Sequence, residues 1–299
     1  MHRIAGKHVG NDSAQSLTAD ALLQNPQFLG VLQTSARALI AVNDLFPRIA
    51  RLVSSHRKWM LTHAAYALHL ERDPNDPETG ITAARLLKFV HETGGASRNT
   101  AAAFLAELVT YKLLRPVAGG HSRRTRPLEP AGSSENAMRL WFKSQMSTLD
   151  LLDGGSRAIE AEADSSIFER AQPLAVKRLL SDPNWTEPPA GVAVFACAES
   201  GGVILDDLMG RPATLAPPSD KVWVEVNLAS LADHYLVSNT HVRRLFARAE
   251  AAGLIGKAQD GRRGRYWMSA RLIEEYAHWQ AIKLEALASA FDQVTASRP

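Results

Sequence analysis

Cysteine is nearly absent: the 299 residues hold one, Cys197. No disulfide can form within the chain, which suits a reducing cytoplasm. The lone thiol is expected to be buried and inert, since a redox sensor needs exposure and a lowered thiol pKa. Long apolar runs are missing too. No stretch of about 18 apolar residues is available to cross a bilayer, and the opening "MHRIAGKHVGNDSAQ" lacks the apolar centre of a secretion signal. The expectation is a cytoplasmic protein with a loose tail over residues 1–16 and no membrane association. Catalytic motifs are absent as well: there is no glycine-rich phosphate loop, no nucleophile elbow and no zinc-protease helix. His56 and His63, and separately His234 and His241, could share helix faces, but no cysteine or clustered carboxylate completes a metal set. Neither an enzyme nor a metal or other cofactor is expected.

What is present is a chain of ordinary globular composition, 45% hydrophobic and 22% charged, with a net charge of only +3. That length accommodates two domains. A shift of about 141 residues lays "GGASRNTAAAFLAELVTYKLLRPV" over "YLVSNTHVRRLFARAEAAGLIGKA". Ser97 then meets Ser238, Phe104 meets Leu245, Leu105 meets Phe246 and Leu108 meets Ala249. Each copy has one apolar helical stripe behind a serine suited to capping. Gly253 is a normal helix stop, and Lys112 stands in its place in the first copy. Upstream, "ITAARLLKFVHETG" and "VNLASLADHYLV" each read as a short helix entered through Thr82 or Asn227, and the repeat favours a helix for "ACAESGGVILDDLMGR". Loops are expected at 72–80, 118–134 and 210–220.

The fold class is therefore mainly α, with small β-hairpins and flanking helices. The first unit covers 17–153, with a core over about 53–130 and a linking helix at 135–153. The second covers 154–299, with a core over about 191–270 and a C-terminal helix at 271–291. The boundary falls near Asp153-Gly154-Gly155. The segments 28–45, 135–153, 168–181 and 271–291 are expected to join the units as an intramolecular pseudo-dimer. Most of the six tryptophans should lie in the core or between units; a small-molecule pocket lined by some of them is the lesser reading.

A short helix, a turn, then a helix opening on Ser, Asn and Thr is the pattern of a helix-turn-helix, and a following hairpin makes it winged. "LIGKA" and "RYWMSA" would be the wing strands and "QDGRRG" the tip. Charge concentrates there: Lys112 to Arg126 holds one Lys and four Arg without an acid, and Lys257 to Arg265 one Lys and three Arg with a single Asp. Acids around Asp150, Asp153, Glu160, Glu162 and Asp164 offset them in the total. Arginine forks suit phosphate or a narrow minor groove.

Asn227 to Ala270, and above all "AEAAGLIGKAQDGRRGRYWMSA", resembles the MarR family of winged-helix regulators. Its wing pattern, an Asp, an Arg two residues on, and a Leu-Thr pair eight and nine residues after the Asp, falls on Asp260, Arg262, Met268 and Ser269. The resemblance implies that Ser238, Asn239, Thr240, His241, Arg243 and Arg244 face double-stranded DNA from the recognition helix, with Arg262 reaching from the wing. Arg263 and Arg265 flank the tip as backbone contacts. In the first unit the corresponding residues are Ser97, Arg98, Asn99 and Thr100 on the helix and Arg123, Arg124 and Arg126 on the wing. Alanines then follow on the helix, there is no Asp before the arginines, and Pro127 and Pro130 weaken the return strand. The family usually has one such domain per chain and acts as a homodimer, so two units suggest a single-chain pseudo-dimer. The expected function is a transcriptional regulator, a repressor. A plasmid replication initiator and a protein-binding scaffold are the alternatives. A small-molecule effector and a further homodimer are both left open.

Overall fold

The computed structural model describes residues 17–53, 55–92, 97–118, 126–215, 221–258 and 264–297. The expected tail at 1–16 lies outside them. The first half runs α1 (Ala19–Gln24), α2 (Phe28–Leu45), α3 (Pro47–Leu52), α4 (His56–Leu70), a 3-10 turn at Pro77–Thr79, α5 (Ala83–Glu92), α6 (Arg98–Thr110), β1 (Leu114–Pro116), β2 (Leu128–Pro130) and α7 (Gly132–Asp153). The second half runs α8 (Arg157–Ala163), α9 (Ser165–Ser181), α10 (Pro183–Thr186), α11 (Ala190–Ala196), α12 (Gly201–Gly210), β3 (Lys221–Glu225), α13 (Leu228–His234), α14 (Asn239–Ala251), β4 (Ile255–Lys257), β5 (Arg265–Ser269) and α15 (Ala270–Ala296). The chain is mainly helical, with two small antiparallel sheets.

Helix ends follow the local chemistry. Ser97 and Ser238 cap α6 and α14 by accepting from the amides of Thr100 and His241. Asn227 accepts from Ala229 and Ser230 at the start of α13, and Thr82 from Arg85 at the start of α5. Gly253 leaves α14 at φ 68°, and Lys112 takes the same left-handed turn at φ 59° despite its side chain.

The second sheet has the order β3-β5-β4, so the strand before the helix pair lies beside the returning hairpin strand. Its register pairs Trp223 with Trp267 and Val224 with Tyr266. The first half contains a stub of this arrangement. β1 pairs with β2, and in place of a third strand Ile81 makes a single bridge to Leu128, whose amide donates to the Ile81 carbonyl at 2.8 Å. Both halves thus run helix, strand or bridge, helix, helix, hairpin, long helix. The strand β3 is additional to the elements expected from the sequence.

The junction is an exchange of leading helices. α2, in the first half, packs on α7 and on α12 of the second; α9, in the second, packs on α15 and on α4 of the first. Polar pins repeat across the exchange. The Arg37 guanidinium on α2 donates to the carbonyls of Gly210, the last residue of α12, and of Pro212 just beyond it, at 2.7 and 3.0 Å. On α9, Lys177 pairs with Glu71 at the end of α4. Gln33 donates to the Pro212 carbonyl at 2.7 Å, and Gln172 to the His63 carbonyl at 3.4 Å. The α7 helix ends where Gly154 turns left-handed at φ 74°, but the apolar interior does not divide there. Val31, Leu32, Phe142 and Met146 share one cluster with Ile167, Leu208 and Leu284, and Val176 and Leu180 of α9 enter the core of the first half.

One expectation is corrected. Cys197 is exposed. It is the residue that ends α11, at the corner before α12, and the inward stripe is taken by Val192, Phe195 and Ala196.

Candidate nucleic-acid interface

The α13–α14 pair is held by a turn in which Leu236 adopts φ 54°, and the Val237 amide donates to the Ala232 carbonyl at 3.0 Å. From there Val242, Leu245, Phe246 and Ala249 bury one side of α14. Phe246 meets Tyr266 of β5 edge to face at 5.3 Å, which ties the helix to the hairpin. The opposite side presents Asn239, Thr240, Arg243 and Arg244, all exposed. Those positions fall on one helical stripe because they are spaced by three and four residues.

Not every predicted contact residue is equally available. The Arg243 Nε donates to Asn239 Oδ1 at 2.8 Å, so the two present a joined polar edge. His241 is half-buried, and its Nε2 donates to the Glu199 carbonyl at 2.9 Å, which anchors α14 to the corner between α11 and α12. The Ser238 hydroxyl oxygen accepts from the His241 amide at 3.1 Å as a cap. Thr240 and Arg244 project without a hydrogen-bond partner among the described residues.

On α6 the buried residues are Ala101, Phe104, Leu105 and Leu108, in register with Val242, Leu245, Phe246 and Ala249. Asn99 is exposed, and Thr100 is half-buried and joined to Ser97 through their hydroxyls at 2.9 Å. Arg98 opens the helix. Where α14 carries Arg243 and Arg244, α6 carries exposed Ala102 and Ala103.

Of the hairpin arginines, Arg123, Arg124, Arg262 and Arg263 lie outside the described residues, as does Asp260. Arg126 is exposed with φ 42°, just before β2. Arg265 opens β5, and its guanidinium lies over the Trp223 ring at 4.6 Å, on the outer face of the sheet. Tyr266 points inward and is buried, and Trp267 points outward with the Lys221 ammonium over it at 4.6 Å. A Cβ on Gly256 would come within 2.3 Å of the Trp267 ring, so the ring needs a glycine beneath it. The first hairpin is partly neutralised, because Glu129 of β2 pairs with Arg115 at 3.0 Å and Arg72 at 3.5 Å.

Sequence reasoning missed Lys221 and Trp223 of this outer face. The signal was the alternation K-V-W-V-E after a Pro-Pro break. It also missed Arg211, which forks Asp207 at 2.7 and 2.9 Å and reaches the Glu225 carbonyl at 3.2 Å, bolting α12 to β3. Among the described residues there is no group of His, Cys, Asp and Glu placed to hold a metal ion, and no helix is long and apolar enough to cross a membrane. No protein-family model, curated protein or solved structure matches this chain.

Proposed function

We propose that each half is a winged helix-turn-helix and that the chain is a double-stranded-DNA-binding transcriptional repressor, built as a pseudo-dimer within one polypeptide. The observation that carries this reading is the twofold occurrence of one arrangement. A serine-capped helix is held by the same four buried positions, keeps a polar or small outward stripe, and runs into an antiparallel hairpin. The reciprocal exchange of α2 and α9 supports a two-fold relation between the halves. Such a relation would set two recognition helices against successive major grooves, about 34–36 Å apart.

In this mechanism α14 reads sequence. Arg244 suits a guanine edge, and Asn239 with Arg243 suits an adenine or guanine edge once their mutual hydrogen bond is exchanged for bases. The α6 helix, with alanines in the matching places, positions the protein on backbone through Ser97, Arg98, Asn99 and Thr100. The hairpin tips bring Arg262 and Arg263, and in the first half Arg123, Arg124 and Arg126, to flanking phosphate. Neutralising those phosphates releases counterions, so affinity falls as salt rises. Arg262→Ala is expected to weaken operator and random DNA alike and to leave folding untouched.

The test is a genome-wide footprint of the full chain followed by gel-shift on the recovered sites. A repressor protects promoters over two half-sites about one helical turn apart. Protection confined to one origin would favour the replication-initiator alternative. No preference for any duplex at low salt would end the DNA reading and favour a protein-binding scaffold.

A further inference from the structure

Where α2, α3 and α4 of the first half meet α12 and α15 of the second, the helices frame a partly open cavity of about 180 Å³. Apolar cavities of roughly 150 Å³ hold a benzene ring, so this one has room for a single ring with a small substituent. One wall is aromatic. Trp185 and Trp279 stack at 4.5 Å, Trp59 stacks on His63 at 3.8 Å, and Trp141 meets His63 edge-on at 4.4 Å. The backbone carbonyl of Trp185 accepts from both His56 Nε2, at 2.9 Å, and Trp279 Nε1, at 3.3 Å, so the wall is braced rather than loose.

The same cavity is lined by two charged residues from the second half, Asp206 of α12 and Lys283 of α15. Lys283 is 5% exposed. Its ammonium makes no hydrogen bond or ion pair within 4.0 Å among the described residues. The Tyr276 hydroxyl donates to one oxygen of Asp206 at 2.8 Å, which leaves the other carboxylate oxygen without a hydrogen bond from the described residues. The two charges nevertheless feel each other. Burial lowers Lys283 to about 8 against the pull of Asp206, and burial raises Asp206 to about 6 against the pull of Lys283. Both are therefore mainly charged at neutral pH. His56 and His63 are held neutral, lowered by burial to about 4 and about 3. Three polar atoms of lining residues, His63 Nδ1, Tyr66 Oη and Trp185 Nε1, are also without a partner, but they have no accessible surface and so lie behind the wall and not on it. Buried charges are ordinarily paired, so the ammonium of Lys283, left without a partner on a braced wall, is the group that a ligand would satisfy.

Charge balance selects the ligand. The ammonium and the carboxylate cancel, so an anion or a cation would add an uncompensated charge in a site of low dielectric. A neutral group that sets an acceptor for Lys283 beside a donor for Asp206 meets both charges without adding a third. We propose that this cavity binds a small uncharged aromatic molecule carrying an adjacent acceptor and donor, such as a primary carboxamide, with its ring on the tryptophan wall and its polar end bridging Lys283 and Asp206. There is one site per chain. The 141-residue shift replaces His56, Trp59 and His63 by Cys197, Ser200 and Ile204, and Asp206, Trp279 and Lys283 by Ala65, Met138 and Phe142, so the matching place in the other half has lost the polar set. This inference does not rest on the DNA reading, because ligand binding is measured without DNA.

The isosteres benzamide, benzoate and benzamidinium share a shape and differ in charge, and tryptophans on the cavity wall supply the signal. Titrating each into the full-length protein, with intrinsic fluorescence and calorimetry as readouts, is expected to give saturable binding of one benzamide per chain, at least tenfold tighter than either ion. Lys283→Met and Asp206→Asn should each weaken benzamide at least tenfold. Val203→Phe fills the cavity while leaving both charged residues in the chain and should abolish binding, which keeps the test decisive if a charge variant misfolds. No saturable binding of any probe, equal or tighter binding of a charged isostere, or benzamide binding that survives Val203→Phe would each overturn the proposal.

Discussion

Helices α6 and α14 are the same object on the inside and different objects on the outside. Ala101, Phe104, Leu105 and Leu108 repeat in place as Val242, Leu245, Phe246 and Ala249, all buried. Outward, Ala102 and Ala103 stand where Arg243 and Arg244 stand. The inner set is dictated by the need to cover a core. The outer set is free to follow function, and it differs in charge. Around the helices the same contrast recurs: Lys112 against Gly253 at the helix stop, and the single bridge at Ile81 against the full strand β3. The second half therefore carries the more complete scaffold together with the more charged outward stripe.

Substitutions at matched positions show how far the two halves differ. The largest effect is expected inside the shared face. Phe246→Ala removes the ring that joins α14 to Tyr266 and should cost about 3–5 kcal/mol of stability, with Leu105→Ala at the matching place costing about 2–5 kcal/mol, both read from urea unfolding. Acid should separate the halves next. Burial lowers His56 to about 4 and His63 to about 3, so the stability they contribute is complete above their ordinary pKa and lost as pH falls toward those values. Asp206 acts in the opposite sense, because a carboxyl raised to about 6 favours the folded state at low pH and loses that contribution as pH rises through 6. Between pH 6 and 5 His56 and His63 thus refuse two protons against one accepted by Asp206, a net of one that should lower stability by roughly 1.4 kcal/mol per pH unit from these three groups. His63→Ile, the residue at its matched position in the other half, should cancel most of that slope in urea midpoints taken at pH 7, 6 and 5. Smaller again are the caps: Ser97→Ala and Ser238→Ala should each cost about 1 kcal/mol. The smallest shift concerns the helix stops. Lys112→Gly should stabilise by up to roughly 1 kcal/mol, since the left-handed turn no longer strains a side chain, and Gly253→Lys should do the reverse.

Much of this is legible in residues alone. The serine caps, the stripes of α6 and α14, the hairpin strands "IGK" and "RYWMS", and the long helices α2, α7 and α15 all follow from period and punctuation. The strand β3 is hard to see because five residues between a Pro-Pro break and a helix cap give a weak alternation. That the segments of α2 and α9 take part in joining the units is an expectation of the repeat, but which helix of the other half each one covers is beyond reach, because a helical period shows that a face is apolar and not what covers it. Lys283 and Asp206 look like solvated charges when read singly. The clue is position: Lys283 falls among Gln280, Leu284 and Leu287 on the buried side of α15. Cys197 departs from expectation because composition favours buried thiols and says nothing of a corner between two helices.

Whether the outward stripe of α14 reads DNA while that of α6 only positions it is decided by duplex affinity across a salt series. Three proteins suffice: the natural chain, Arg243→Ala with Arg244→Ala, and Ala102→Arg with Ala103→Arg. The first double substitution is predicted to lose about 1–3 kcal/mol for each base edge no longer held on the preferred site, and much less on random duplex. The second is predicted to steepen the salt slope by about 0.9 for each phosphate newly neutralised, without new sequence preference. Affinities and slopes indistinguishable from the natural chain in both variants would contradict this division of roles.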